Sequence, residues 1–338
     1  MKIKIVSNSI ISILLTAICL LQAGQSKAQK APLDPKPSQQ TLASQSRSAM
    51  SAYNYWVNNK NASDSLAKAL TAFKSLAEAG YPPAMYYLGD LYDSGKGLAK
   101  DPNHAFAWHK KAAEAGIPES CVFIGRAYWH GWTVPKDPAQ ALPYFQKAAK
   151  KNDPEALLYM GHFYFDGAAV TRNRASAFKW YEKAAQAGNA LAMNEVGNYY
   201  SSGGYGVTQD EKKAFAWYEK AAGKGETQSM LRVASYYEVG QGGVGQNGTK
   251  AISWYKRVAE TGNTEALFLI GNIYYEGLGV KKDYVQSLEW FSQAAEKGHV
   301  GSMYAMGLIY NSGGFGMIPN PTRAAEWIAR AKASKTND

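Results

Sequence analysis

The chain has little with which to build a covalent or metal-based architecture. Two cysteines, Cys19 and Cys121, occur in 338 residues, so at most one internal disulfide is possible and a multiply stapled fold is excluded. The five histidines (His104, His109, His130, His162, His299) share no ligand-like spacing with each other or with Cys121. No metal and no cofactor is expected on that ground. His-Glu-x-x-His and Gly-x-Ser-x-Gly are both absent, which removes the sequence marks of zinc peptidases and α/β-hydrolases. Lys and Arg outnumber Asp and Glu by 37 to 27, for a net charge of +10, but they form no dense run. Nucleic acid is therefore not an expected partner, and a mild preference for anionic surfaces is all that this charge implies. One apolar run exists, residues 10–21, short of the ~20 residues that span a bilayer.

That run follows Lys2 and Lys4 and precedes small residues around Ala23 and Ala28, the layout of an export signal. Residues 1–28 are expected to be a signal peptide, cleaved after Ala28 or Ala23, which predicts a periplasmic or secreted chain. Loss of Lys2, Lys4 and Lys27 lowers the net charge to +7. Cys19 leaves with the signal and Cys121 stands alone, a small apolar core residue at a position held elsewhere by Met or Leu. Residues 29–45, rich in Pro, Ser, Gln and Lys, predict a flexible linker. Residues 46–83 predict a divergent capping helix pair.

What the sequence has in abundance is period. Gly89, Gly125, Gly161, Gly197, Ala234, Gly271 and Gly307 lie 36 or 37 residues apart. Three residues after each comes Tyr92, Tyr128, Tyr164, Tyr200, Tyr237, Tyr274 or Tyr310. A second aromatic column reads Trp108, Tyr144, Trp180, Trp217, Trp254, Trp290 and Trp327. Such spacing means a repeat array, in which each unit buries its apolar face only against its neighbours. Each unit resolves into two helices. The first, A, has the i, i+3/i+4, i+7 face seen in Ala84-Met85-Leu88-Gly89-Tyr92. It stops at Gly95, Gly131, Gly167, Gly203, Gly240, Gly277 or Gly313. The second, B, starts behind Asp101, Asp137, Asn173, Asp210, Asn247, Asp283 or Asn320, all able to cap a helix N-terminus. The glycine, tyrosine and tryptophan columns are expected to be the structural core. The predicted fold is all-α, an α/α superhelical solenoid of seven repeats over residues 84–333 (about 84–119, 120–155, 156–191, 192–228, 229–265, 266–301 and 302–333), with a tail at 334–338.

Leu-Gly-x-x-Tyr, a glycine-rich loop, then Ala-x-x-Trp-Tyr-x-Lys-Ala-Ala resembles the Sel1-like repeat, a relative of the tetratricopeptide repeats. Residues 192–225 carry it in full, from Val196-Gly197-Asn198-Tyr199-Tyr200 through Ala214-Phe215-Ala216-Trp217-Tyr218-Glu219-Lys220-Ala221-Ala222. Ala234, Ser287 and Asn152 depart from the pattern at single positions. The resemblance implies a right-handed superhelix that scaffolds protein complexes, with exported bacterial members acting as envelope adaptors. It also implies that A helices line the concave side. A cysteine-rich branch is linked to penicillin binding, but its cysteines are missing here.

Counted from the glycine column, the outward A positions are three before, one after and four after. They give Tyr86, Asp90 and Asp93; Val122, Arg126 and Trp129; Leu158, His162 and Phe165; Asn194, Asn198 and Ser201; Leu231, Ser235 and Glu238; Phe268, Asn272 and Tyr275; Tyr304, Leu308 and Asn311. These vary while the packing columns do not. The expected partner-binding residues are Tyr86, Asp90, Arg126, Trp129, His162, Phe165, Asn194, Asn198, Asn272 and Tyr275. Aromatic and arginine side chains there suit interface hot spots, and the amides suit a peptide backbone. The function expected is a non-catalytic, monomeric adaptor for protein partners, cell-wall enzymes or secretion and host factors among them. A penicillin-binding or wall-processing enzyme is the alternative, resting on Ser65-x-x-Lys68, which lacks companion motifs. The glycine-rich Gly240–Gly245 string mimics a dinucleotide fingerprint but follows a helix.

Overall fold

Helix starts and stops recur along the chain and produce sixteen helices in the computed structural model, which describes residues 38–58, 63–313 and 317–335. The expected signal and residues 29–37 of the expected linker lie outside the described residues. Two compact units divide the chain, residues 1–72 and 73–338. In the first, α1 spans Gln39–Asn58 and α2 (Ser63–Glu78) begins. The helix starts seven residues before the predicted Ser46. Ser38 Oγ accepts from the Thr41 N–H at 3.2 Å, and Leu42, Ser46 and Ala49 fall on one buried stripe. A polar composition concealed that stripe.

The second unit stacks seven helix pairs. The A helices are α3 (Pro82–Ser94), α5 (Pro118–His130), α7 (Pro154–Asp166), α9 (Ala190–Ser202), α11 (Thr227–Val239), α13 (Thr264–Glu276) and α15 (Val300–Ser312). The B helices are α4 (Pro102–Glu114), α6 (Pro138–Ala149), α8 (Arg174–Gln186), α10 (Glu211–Gly223), α12 (Gly248–Ala259), α14 (Tyr284–Glu296) and α16 (Pro321–Lys335). Repeats thus begin about two residues before the predicted boundaries, because Pro82, Pro118 and Pro154 take the first helical position, where a missing N–H costs nothing. There is no strand among the described residues, only an isolated bridge between Gly204 and Val207.

Each turn between A and B is fastened twice. The Asp/Asn column accepts first-turn N–H bonds from its own helix in every repeat, as Asp101 does from Asn103 and His104. The same residue's N–H donates to the carbonyl of the tyrosine column: Asp101 to Tyr92 (2.9 Å), Asp137 to Tyr128, Asn173 to Tyr164, Asp210 to Tyr200 (2.8 Å each), Asn247 to Tyr237 (2.7 Å), Asp283 to Tyr274 (2.9 Å) and Asn320 to Tyr310 (2.6 Å). The stop glycine has positive φ in all seven, conformations that side chains resist.

The seam inside each pair corrects one sequence expectation. The column Trp108, Trp180, Trp217, Trp254, Trp290 and Trp327 is half-buried, at the edge of the core. The core ring is the next residue: His109, Phe145, Tyr181, Tyr218, Tyr255 and Phe291 are each at most 2% exposed. A Cβ on Gly89 or Gly125 would fall 2.8 Å from the His109 or Phe145 ring. On Gly161, Gly197 or Gly271 it would come closer still to Tyr181, Tyr218 or Phe291. In these five repeats the glycine therefore lets a ring press against the A-helix backbone; repeat 5 manages with Ala234, and repeat 7 sets Ile328 against Gly307. The larger indoles stay at the edge, five of them under the cation three residues on: Lys111 over Trp108 (4.1 Å), Lys183 over Trp180 (4.6 Å), Lys220 over Trp217 (4.3 Å), Arg257 over Trp254 and Arg330 over Trp327 (4.4 Å each), while Trp290 lies under Lys256 of the preceding repeat at 5.0 Å.

Two stability outcomes follow from this seam. Tyr181→Ala lowers unfolding free energy by about 3–5 kcal/mol in urea denaturation, a large-to-small core change, and Trp180→Ala costs clearly less; equal losses would reverse the assignment. Ser287 stands where the other repeats have buried alanine, and its Oγ is buried with no hydrogen-bond partner among the described residues. Ser287→Ala should raise stability by about 1 kcal/mol, read as a higher denaturation midpoint.

Candidate functional site

Residues one and four positions after the glycine column lie on the A-helix face, half-buried to exposed in all seven repeats. The position three before does not hold throughout: Val122 and Leu158 are buried in the core shared by repeats 2–4, because adjoining repeats cover that offset there.

The face divides by what the core ring beneath demands. Where that ring is tyrosine, its hydroxyl emerges among the A-face side chains and needs a partner. Tyr181 Oη meets His162 Nδ1 at 2.9 Å, Tyr218 donates to Asn198 Oδ1 at 2.8 Å, and Tyr255 donates to Glu238 Oε2 at 2.8 Å. His162 and Asn198 therefore serve the fold as well as the face. Asn194 accepts from Ser229 Oγ of the next repeat at 3.0 Å. Where the ring is phenylalanine, Phe145 or Phe291, the equivalent Arg126 and Asn272 are released from that duty. Arg126 pairs with half-exposed Glu155 at 3.4 Å, hydrogen-bonds the Tyr159 phenol and lies over the Trp132 ring at 4.9 Å.

Repeats 2–4 gather these groups into an aromatic and basic cluster. Trp129 packs edge-on against Phe163 (4.7 Å) and Tyr159 (5.7 Å). His130 Nε2 meets Tyr159 Oη at 2.9 Å and stacks on the largely exposed Trp132. Phe165 and Tyr205 flank the Arg174 guanidinium at 4.9 and 4.8 Å. Sequence reading found Arg126, Trp129, His162 and Phe165 but missed His130, Trp132, Tyr159, Arg174 and Tyr205. Those lie off the three sampled offsets, and only an inspection of every column would have shown them.

At the ends of the array Tyr86 lies beside His109 (5.7 Å), and burial pushes both its phenol and the Asp90 carboxyl up. Tyr275 stacks on Tyr284 at 5.1 Å. A pocket of about 280 Å³ between α13 and α15 brings Phe268, Asn272, Tyr275, Tyr304 and Leu308 together, five of the predicted A-face positions. A cleft of about 870 Å³ lies elsewhere, between α6 and α8 over Leu157, Met160 and Tyr164. Its charged lining is Lys150 and Lys183, so it offers no acid–base pair. Among the described residues no three His, Cys, Asp or Glu side chains converge, and no helix is long and apolar enough to cross a membrane. Cys121 is buried, with its thiol 3.6 Å from the Ala113 carbonyl, and burial raises its pKa.

A constant seam under a varied A face defines a tetratricopeptide-like α-solenoid. The chain belongs to the Sel1 repeat family, matched at residues 82–117, 118–153, 154–189, 190–226, 227–263, 264–299 and 300–334. Among solved structures it is similar to a protective antigen present in uropathogenic Escherichia coli strains (33% identity, TM-score 0.73), covering 88% of this chain and 64% of that one. The present chain thus spans just under two thirds of that protein. It is also similar to a Sel1 repeat protein from Oxalobacter formigenes (34% identity, TM-score 0.63), over 74% of this chain and 99% of that one. No curated protein matches. Sel1 repeat proteins generally act as protein-interaction scaffolds.

The histidine in the seam generates a pH dependence. His109 is buried, stacks on Phe123 at 4.0 Å and bonds Ser120 Oγ at 3.1 Å; burial holds its imidazole down to about 4. The unfolded chain takes up a proton near pH ~6.5 that the folded chain refuses until about 4. Stability is therefore full above ~6.5 and falls by about 3 kcal/mol as the pH drops through that window. His109→Phe, the ring used at Phe145 and Phe291, should flatten this slope. Urea midpoints at about pH 7.5 and about pH 4.5 measure it, and an unchanged slope refutes the assignment.

Proposed function

We propose that this protein is a non-catalytic, monomeric scaffold of the bacterial cell envelope or of the secreted fraction, holding protein partners against its A-helix face. One observation carries the reading: the ring-on-glycine seam recurs along the array while the groups displayed above it change from repeat to repeat. A scaffold selected for a partner keeps what stacking needs and varies what recognition needs. The Arg126–Trp129–Trp132–Phe165 cluster has the aromatic and arginine content that dominates interface energetics. The positive start and apolar run at residues 1–28 support export, and the likeness to a protein described as a protective antigen agrees with it.

Arg126→Ala is the clean probe, because its pair with Glu155 is half-exposed and contributes only about 0–1 kcal/mol to stability. Crosslinking in the envelope and secreted fractions, followed by identification of the captured proteins, should yield a partner. Arg126→Ala should weaken its capture at least about tenfold, a loss of about 1.4 kcal/mol, with the melting temperature unchanged. Capture that ignores the substitution removes Arg126 from the interface. Covalent labelling by a fluorescent β-lactam that disappears in Ser65→Ala would make the chain an enzyme instead.

A further inference from the structure

In repeats 2 and 3 the residue two before the glycine column is a ring that lies on the core ring of the preceding repeat. Phe123 stacks on His109 at 4.0 Å, and Tyr159 on Phe145 at 4.3 Å and 16°. Repeat 7 has Ala305 there, and Gly301 one turn earlier, where other repeats carry Pro83, Glu119, Glu155, Leu191, Gln228 or Glu265. These two small residues open the pocket between α13 and α15. Phe268, half-buried and leaning on Phe291 at 5.5 Å, lies at its base. Tyr275 and Tyr304 wall it, and the Asn272 amide sits among its lining.

Size and charge select the occupant. At about 280 Å³ the pocket falls below the ~300–1,000 Å³ of small-molecule sites and suits one large side chain. Aromatic walls favour an aromatic ring, which gains edge or offset contacts beyond its area. The one charged lining group is Glu276, which makes no ion pair among the described residues. It ends α13, where a negative charge opposes the helix dipole. α13 carries Glu265 and Glu276 and no basic residue, and α15 carries no Asp, Glu, Lys or Arg. Lys282, over the Tyr275 and Tyr284 rings at 5.8 Å, is not part of the lining.

We propose that this pocket is a docking site for one aromatic side chain of a protein partner, flanked in the partner by Lys or Arg, with Glu276 taking the cation and Asn272 the partner's backbone. The proposal rests on the reading that the A face binds proteins and names the chemistry of one site on it. A displayed library of random peptides panned on the full chain tests it. Enriched peptides should carry Phe, Tyr or Trp next to Lys or Arg. Ala305→Tyr places in the pocket a ring already used at Tyr159 and should weaken those peptides at least about 30-fold. Glu276→Lys should turn the selection toward acidic flanks, and circular dichroism confirms that both variants stay folded. Peptides without the aromatic–basic pair, a library that yields no binder, or binding indifferent to both variants overturns the proposal. Sedimentation showing a self-association lost in Ala305→Tyr also overturns it, by making a second copy the occupant. Arg126→Ala, in another part of the face, should leave the peptides bound, so loss of partner capture there is scored independently of this pocket.

Discussion

Everything in the array depends on a side chain that is missing. A ring from helix B lies on the bare backbone of helix A, and Gly89, Gly125, Gly161, Gly197 and Gly271 supply that bareness. Because the ring sits so close, the pair has one tight registration, and the caps, the stop glycine and the loop bond serve to return the chain to it. Close packing of this kind tolerates exchange among His, Phe and Tyr in the ring column, and the first six repeats exploit that tolerance, while Ile328 takes the place in the seventh.

Exchange of the ring then reaches the surface. A tyrosine in the seam brings a hydroxyl that must be satisfied, and it recruits His162, Asn198 or Glu238. A phenylalanine recruits nothing and leaves Arg126 or Asn272 to its own chemistry. Part of the variation on the A face is therefore imposed from below, and only the remainder is available to a partner.

The repeat, its helices, caps and stops were legible because each leaves a column of one residue type. Which of two consecutive aromatics enters the core was not. In Trp180-Tyr181 both are large and apolar, and neighbouring positions on a helix differ by a fraction of a turn. The glycine opposite decides, by admitting a flat six-membered ring and leaving the indole half outside. The early start of α1 was hidden for another reason: Leu42 and Ala49 are too sparse among Gln, Ser and Thr to register as a helical face. On the A face the three offsets reach Arg126, Trp129 and the group around Asn272. The pocket beside Asn272 escaped them, since it comes from the smallness of Gly301 and Ala305 and not from any reactive side chain.

The double fastening of the turn, in which one Asp or Asn holds the tyrosine carbonyl and the first amides of helix B, separates length from geometry. The stretch between the stop glycine and that residue is one position longer in repeats 4, 5 and 7, yet the bond to Tyr200, Tyr237 or Tyr310 closes as it does elsewhere. The loops behave as staples of adjustable span on a rack of fixed pitch. New sequence can accumulate inside them, as the protruding Tyr205 illustrates, without disturbing the order in which the layers stack.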